Sequence, residues 1–448
     1  MKKNLLLLLL LMGSSCWFTS LYAQHDNLTN VSAEFMRTGS RTAAIDAADI
    51  VVYNPAGLVY LEDGFHINLA NQSIFRSPSH TFTFPGETTE RSYQQDSPDL
   101  LLPNIYLAYK KNKFSVYGGF YISGGGGSLD YPEGSINSDL IILQLKAGGY
   151  PFQTYASYID ASSFYMTPLV GLSYAITDKL SAAVSFKYIL ATNKTKANVT
   201  CSDPVIPNPP VPAVLDLEYT DKASGIGFTG SLNYRISENF NIAARYETKS
   251  ALEFEIDSIA DTFGQIGKPV IQDGKLSNRD LPASLCVGAN INITEDLSAM
   301  LDFGWYFQKQ ADWDTVTTAG PSVGREWSEV AGDVARFAAG LGYGIGEKLQ
   351  ANAWFGYTMY QYDDRPLYYT KLGVFETVKA NNWSIGLGGK FNVSERFNIN
   401  LAFVQSFWKK DDVVEATFPV PPTYPTYDVT INNSISSVAL GINILLGK

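Results

Sequence analysis

The sequence predicts an all-β protein: a transmembrane antiparallel β-barrel of about 14 strands with a small N-terminal hatch, or plug, in its lumen. Three observations predict this class. Apolar and polar residues alternate along most of the chain, short polar turns alternate with long connections, and a signal peptide precedes the pattern. The composition agrees, because the 448 residues include 27 Tyr, 25 Phe and 37 Gly while only 17% are charged. The net charge of −11 and the lack of any long Lys/Arg run argue against a nucleic-acid partner.

The first 23 residues have the form of a secretory signal peptide. Lys2 and Lys3 precede the apolar run 5–12, and small residues lead to the expected cleavage site after Ala23. A lipoprotein signal with Cys16 as the lipidated residue is the alternative, although no Leu lies three residues before it. After the signal, the only cysteines are Cys201 and Cys286, and the sequence leaves open whether they pair.

Residues 65–448 are assigned to the barrel. In 240–256 the even positions are mainly apolar and the odd positions polar, as expected of a strand between two environments. Six short polar turns join such runs into hairpins: 110–113, 177–179, 237–239, 294–296, 346–348 and 394–396. Long connections near 77–99, 123–162, 196–221, 257–278, 312–333, 361–377 and 410–431 join the other strand ends. A soluble β-sandwich would also alternate, but it does not need this repeated asymmetry of turn length.

Two further features agree with a membrane barrel. Trp305, Trp383 and Trp408 lie near strand ends, where interfacial aromatic girdles occur. Residues 24–64 precede the alternating pattern and are too few to bury a core alone, whereas a wide barrel has room for them inside. They are therefore assigned to the hatch, within which Asn54-Pro55 marks a turn.

The segment Asn54-Pro55-Ala56-Gly57, with the preceding 39–41 and 46–49, resembles the N-terminal hatch of the FadL-type outer-membrane transporters, whose relatives include TodX-like hydrocarbon channels. The hairpin pattern of 167–180 is similar to that family as well. The resemblance implies uptake of long-chain fatty acids or aromatic hydrocarbons, with capture by apolar loops, a pocket in the barrel, hatch movement, and a lateral exit at a kink in the third strand. One departure is the end of the chain, 445–448, which lacks a terminal aromatic residue.

The expected lateral kink is placed at Gly118 and Gly119, because glycine inside a strand often marks a bulge or bend. Close packing against the hatch is the alternative explanation for both glycines. The glycine run 124–127 is interpreted as the start of a flexible loop rather than a nucleotide-binding loop, since no Lys-Ser/Thr follows it.

The polar face of each strand is expected to line the lumen. This places six charged side chains inside: Lys187, Arg245, Glu247, Asp302, Arg336 and Lys390. They either pair with one another or include a cation that holds a ligand carboxylate, and Arg245 and Lys187 are the first candidates for that role. Two apolar loop segments are candidates for capturing a ligand: Leu140, Ile141 and Leu143 in one loop, and 205–215 in another.

The sequence contains no pattern typical of an enzyme, a metal site or a cofactor site. His25, His66 and His80 are the only histidines, and none has metal-ligand spacing to another ligand. The chain is therefore expected to be a monomeric barrel of the bacterial outer membrane, in contact with lipopolysaccharide, that takes up hydrophobic small molecules. A porin-like channel for polar solutes and a surface adhesin or receptor are the alternatives, and the identity of the carried compound stays open.

Overall fold

The computed structural model describes residues 31–83, 88–139, 154–202, 214–262, 271–315, 324–372, 375–376, 378–417 and 426–447. The expected signal peptide, 1–23, and the apolar loop residues Leu140, Ile141 and Leu143 lie outside this part of the chain, as does most of 205–215.

The described chain contains 20 strands and three short α-helices that are described from end to end, and residues 136–139 are helical as well. The strands are β1 (Gly64–Arg76), β2 (Ser79–Phe82), β3 (Arg91–Gln94), β4 (Asp99–Lys111), β5 (Phe114–Tyr131), β6 (Thr154–Ala175), β7 (Leu180–Ser202), β8 (Val214–Ser237), β9 (Phe240–Glu247), β10 (Glu253–Asp261), β11 (Leu276–Asn278), β12 (Ala283–Asn292), β13 (Leu297–Phe307), β14 (Val334–Ile345), β15 (Leu349–Tyr360), β16 (Asn382–Ser394), β17 (Phe397–Trp408), β18 (Asp412–Thr417), β19 (Thr426–Asn432) and β20 (Ser434–Leu446). The α-helices are α1 (Ala33–Thr38), α2 (Trp327–Ala331) and α3 (Arg365–Leu372). Turns of 3-10 helix lie at Ala48–Val51, Pro55–Tyr60 and Gln308–Gln310. No helix of the described chain is both long enough and apolar enough to cross a membrane.

Fourteen of the strands form a closed antiparallel barrel, which confirms the predicted fold class. In spatial order they are β1, β4, β5, β6, β7, β8, β9, β12, β13, β14, β15, β16, β17 and β20, and β20 pairs with β1 to close the circle. The six predicted hairpins are all present, with turns between Lys111 and Phe114 and at the five corresponding positions. Because β1 and β20 pair with each other, the barrel sheet has no first or last edge strand.

The faces of the longest strands exchange polarity partway along their length. In the lower part of β8 the outward residues include Phe228 and Leu232, which are exposed, while Ser231 and Asn233 are buried on the inner face. In the upper part the outward residues are polar, as at 216, 218 and 222, and the inward residues are Leu215, Leu217 and Tyr219. An apolar exterior suits lipid and a polar exterior suits water, so the exchange marks the upper limit of the apolar belt.

One predicted strand is interrupted at this level. The run 240–256 alternates continuously in the sequence, but the structure divides it into β9 and β10 at residues 248–252. The register with β8 shifts by one residue across the interruption, from Thr229↔Glu247 to Lys222↔Glu255. A bulge of one residue turns the apolar positions inward, because above the belt the solvent is outside and an apolar core is inside.

That core belongs to a cap, the structured region that covers the upper end of the barrel. Its main element is a four-stranded sheet in the order β18-β19-β2-β3, and α2 and α3 pack beside it. Val429, Ile431, Phe82 and Tyr93 point from this sheet into the largest apolar cluster of the molecule. The segments 123–131, 154–162, 196–202 and 214–221, expected to be loops, are strand instead, because cap packing supports them where the lipid-facing pattern has ended.

The described part of the hatch, residues 31–63, lies inside the barrel. It consists of α1 and two turns of 3-10 helix, and its apolar residues pack against the inner wall. Ser32 caps α1 by accepting a hydrogen bond from the Phe35 amide, and Gly39 ends the helix in the left-handed conformation, with φ +68°.

Candidate ligand-binding cavity between hatch and cap

The hatch is held in the lumen by polar side chains of the barrel wall. Asn54 donates to the Asn233 side chain at 2.7 Å, and the carbonyls of Pro55 and Ala56 accept from Ser173 at 2.6 Å and Ser181 at 2.7 Å. These contacts place the segment Asn54-Pro55-Ala56-Gly57 at the wall, as expected of a hatch. Buried hatch carbonyls are thereby satisfied without water.

A second set of contacts holds α1. The carboxylate oxygen Oε1 of Glu34 accepts hydrogen bonds from Asn68, Asn400 and Asn443 at 2.9, 2.9 and 2.6 Å, so three strands converge on one buried group. Small residues on the wall make room for the helix. A Cβ on Gly441 would lie 2.7 Å from the Cβ of Ala33.

A cavity of about 270 Å³ lies above α1 and below the cap. Part of its wall is apolar, and part carries hydroxyl and amide groups from the barrel strands. The apolar and aromatic lining residues include Phe35, Ile74, Leu129, Trp354, Tyr360, Trp408 and Ile435. Three of the described residues that line the cavity are cationic: Arg76, Arg336 and Lys379. The described lining contains no Asp or Glu.

Arg336 lies at the floor of this cavity. Its Nη2 donates to the Gly39 carbonyl at 2.9 Å, and its guanidinium lies 4.8 Å from the ring centre of Phe35 and 5.9 Å from that of Trp354. It forms no ion pair within the described part of the chain. Arg76, by contrast, is neutralised by Asp99 at 2.5 Å.

Lys187 and Arg245, the first candidates for holding a carboxylate, do point into the lumen, but both are paired with Glu247. Lys187 forms an ion pair with Glu247 Oε1, and Arg245 lies 3.2 Å from Oε2. Arg245 also donates to the Val52 carbonyl of the hatch at 2.6 Å. Neither residue lines the cavity above α1. Their arrangement supports the alternative that these charges pair with one another.

The barrel wall beside the cavity is interrupted between β4 and β5. Their register ends at Ile105↔Phe120, and farther up the Ser128 amide donates a hydrogen bond to the Asp99 side chain at 3.0 Å. Between these points β5 bulges, with register shifts within residues 122–127. We call this interruption the window. A small apolar cluster lies beside it and consists of Ile74, Leu102, Ile122, Phe164 and Ile435.

The structure describes both glycines that were expected at the kink, Gly118 and Gly119. Gly118 and Gly119 lie in the regular ladder, opposite Leu107 and Tyr106. A Cβ on Gly119 would lie 2.7 Å from the Tyr106 ring, so this glycine permits close packing of the wall. The bend comes instead from the glycine run 124–127, where Gly125 and Gly127 have φ of +94° and +75°.

Several solved structures share this architecture. A FadL homologue of Pseudomonas aeruginosa is 12% identical, with a TM-score of 0.67 over 96% of this chain and 100% of that one. The toluene transporter TodX of P. putida is 15% identical, with a TM-score of 0.61 over 91% and 96% of the two chains. The toluene transporter TbuX of Ralstonia pickettii is 14% identical, with a TM-score of 0.57 over 94% and 100%. The chain has the FadL-type fold. No family model and no curated protein sequence matches it.

In this FadL-type barrel the cap is held together by buried polar groups. His80 accepts a hydrogen bond from the Ile136 amide at 3.0 Å, and burial lowers the pKa of its imidazole to about 3. Glu376 accepts two hydrogen bonds from the Asn137 amide, at 2.8 and 3.0 Å, and burial raises the pKa of its carboxyl to about 7. Burial without a counter-charge therefore favours the neutral form of both groups.

The residues that line the cavity were only partly found from the sequence. Trp408 was expected in an interfacial girdle, but it points inward and lines the cavity, whereas Trp383 does lie on the outer face. Trp354 lies on the same face of its strand as the polar residues Gln350 and Asn352. This alternation predicts that its side chain points into the lumen. Phe35 had no signal, because it belongs to a hatch helix of six residues.

The described residues contain no group of three or more His, Cys, Asp or Glu side chains arranged to hold a metal ion. Cys286 is a free, buried thiol whose sulfur lies 3.4 Å from the Arg245 guanidinium.

Proposed function

We propose that this chain is a channel of the bacterial outer membrane through which hydrophobic small molecules are taken up. The observation that carries the proposal is the cavity between hatch and cap, which opens toward an interruption of the barrel wall at the height of the apolar belt. The apolar side chains of Ile74 and Ile435 belong both to the lining of the cavity and to the cluster beside that interruption. The family resemblance implies two more specific classes of transported compound, long-chain fatty acids and hydrocarbons.

The route runs through the cap to the cavity and out through the window. Leu102 and Ile122 close the window from two strands, and Leu100 and Leu101 are exposed on the outer side. These side chains lie above the last pair of the β4–β5 register, Ile105↔Phe120. An apolar ligand then passes from one apolar surrounding to another without entering water.

The architecture supports this role over the alternatives. A porin for polar solutes keeps a water-filled lumen, whereas here the hatch occupies the lumen and is bonded to several strands. An adhesin would need neither a cavity nor a window. Similarity of fold to a FadL homologue and to two toluene transporters agrees with a transport role, and a non-catalytic function is part of the proposal. Removal of the signal peptide 1–23, a monomeric state and contact with lipopolysaccharide belong to it as well.

The test is to lock the window. Cysteines are introduced at Leu102 and Ile122 in a Cys201→Ser, Cys286→Ser background and are joined by a short bifunctional thiol-reactive cross-linker. The cross-link should reduce uptake of radiolabelled toluene or palmitate into proteoliposomes at least ten-fold. Binding of the same compound to the purified protein should be unchanged. Cysteines at the directly paired positions Tyr109 and Val116, below the window, serve as the matched control and should leave uptake unaltered. Undiminished uptake through the locked window would exclude this exit route.

A further inference from the structure

We infer that the cavity selects a compact aromatic carboxylic acid, whose carboxylate is held by Arg336 and whose ring lies among Phe35, Trp354 and Trp408. This inference rests on the proposed function and specifies the class of compound. It replaces Lys187 and Arg245, the cations favoured by sequence reasoning, with one that borders the cavity and has no carboxylate partner in the described chain.

The charge of the cavity favours an anion. Its described lining contains three cations and no acidic side chain, and of the cations Arg76 is already bonded to Asp99 at 2.5 Å. Arg336 uses Nη2 to hold the Gly39 carbonyl, which leaves other donors of its fork without a partner among the described residues. A guanidinium binds a planar carboxylate through two parallel hydrogen bonds, and such charge-assisted bonds are strongest where water is excluded.

The shape of the cavity favours a ring over a long acyl chain. The cavity volume of about 270 Å³ lies just below the range for drug-sized ligands, roughly 300–1,000 Å³. Four aromatic side chains line it, Phe35, Trp354, Tyr360 and Trp408, and flat rings pack well against other rings. Phe35 and Trp354 flank the guanidinium, so a carboxylate bonded to Arg336 places its own ring next to theirs.

The experiment compares three ligands on the purified, delipidated full chain by calorimetry. The probes are 4-ethylbenzoate, the neutral isostere 4-ethyltoluene, and palmitate. We expect 4-ethylbenzoate to bind at least ten-fold tighter than either of the others. Arg336→Met should weaken binding of 4-ethylbenzoate at least ten-fold and leave 4-ethyltoluene unchanged, and Arg336→Lys should be intermediate because it keeps the charge but not the fork. Lys222→Met, at an exposed outward position, is the matched control.

Each outcome decides something. Equal binding of 4-ethylbenzoate and 4-ethyltoluene, or tightest binding of palmitate, overturns the inference and leaves the proposed function standing. Absence of binding by all three compounds overturns both. Retained binding of 4-ethyltoluene by Arg336→Met shows that the cavity is still formed in this variant. If the variant does not fold, the comparison of the three ligands on the unaltered protein still tests the inference.

Discussion

Buried carboxylates in this barrel differ in what accompanies them. Glu247 has two cations within reach, Lys187 and Arg245, and Asp49 of the hatch has Arg41 at 2.5 Å. Glu376 of the cap has only the amide of Asn137 and other neutral donors, and no cation within ion-pair distance in the described chain. A carboxyl group buried without a counter-charge is more stable in its protonated form, which makes the cap sensitive to pH.

Glu376→Gln should stabilise the cap at neutral and alkaline pH. In the folded protein the pKa of Glu376 is raised to about 7 from 4.5, so ionisation opposes folding increasingly between those two pH values. Below about pH 4.5 both folded and unfolded forms are protonated and no penalty exists. Above pH 7 the full penalty applies, about 3 kcal/mol. Gln keeps an oxygen for Asn137 and cannot ionise.

Hydrogen exchange of the peptide covering 129–139, measured at pH 5 and pH 8, checks this expectation. Protection in the unaltered protein should fall as the pH rises, and Glu376→Gln should remove most of that fall. Glu133→Gln changes an exposed carboxylate in the same peptide and is the control. An identical pH dependence in the Glu376→Gln protein would contradict the assignment.

Some strands of this barrel pass from a lipid-facing region into a water-facing region along their length. β7 and β8 continue far above the apolar belt and exchange the polarity of their faces without changing which residues point inward. Beside β8, the bulge between β9 and β10, from Glu247 to Glu253, turns the apolar residues inward above the belt. The glycine run in β5 bends that strand at a similar level and opens the window. Bulges in this wall therefore lie where its surroundings change.

Gly125→Val should disrupt the window, whereas Gly118→Val should not. Gly125 has φ +94°, which a β-branched residue adopts only with strain, and its added Cβ would overlap the Ser163 carbonyl group. We expect a loss of roughly 2 kcal/mol or more in unfolding free energy, together with reduced uptake. At Gly118 the nearest atom to an added Cβ is the Leu169 carbonyl oxygen at 3.2 Å. Urea unfolding followed by gel mobility, with uptake in proteoliposomes, separates the two sites, and equal effects would argue against a special role for the bulge.

Local patterns in the sequence located what depends on local geometry. The six hairpins and the inward direction of Lys187, Arg245 and Arg336 follow from alternation and from turn chemistry between lipid and lumen. The strand segments above the belt, the cap sheet and the bulge at residues 248–252 depend on packing between distant parts of the chain. The same holds for the pairing of Glu247, because residues 187 and 247 meet only when the barrel closes. Sequence alternation therefore identifies a lumenal cation but not whether its charge is already matched.

At the scale of the whole molecule, barrel and hatch are built to fit each other. Polar side chains from many strands satisfy hatch carbonyls and one oxygen of the Glu34 carboxylate, while small residues admit the helix at the wall. Each contact alone contributes about 1 kcal/mol, so the hatch is held by their number rather than by any single bond. A hatch held in this way can shift locally when a few contacts are lost, without unfolding of the barrel.

Gly441→Val should displace α1 and open an aqueous path through the lumen. The added Cβ would lie 2.7 Å from the Cβ of Ala33 and 3.3 Å from that of Ala70, so the helix has to move away from the wall. Since the lumen around the hatch is lined by polar groups, water and ions can occupy the vacated space. Planar-bilayer recordings should show a steady conductance that the unaltered protein lacks. Gly389→Val serves as the control, because the nearest atom to its added Cβ is 3.7 Å away.

A second substitution makes this prediction specific to the contact between helix and wall. Ala33→Gly removes the methyl group that an added Cβ at position 441 would meet, so the double variant Ala33→Gly, Gly441→Val should return to low conductance. Persistent conductance in the double variant would mean that valine opens the wall through Ala70 on β1 rather than through the hatch. No conductance in either variant would mean that the hydrogen bonds between Glu34 and its three asparagines hold the helix against the added side chain. In that case, Glu34→Ala combined with Gly441→Val should release the helix and produce conductance.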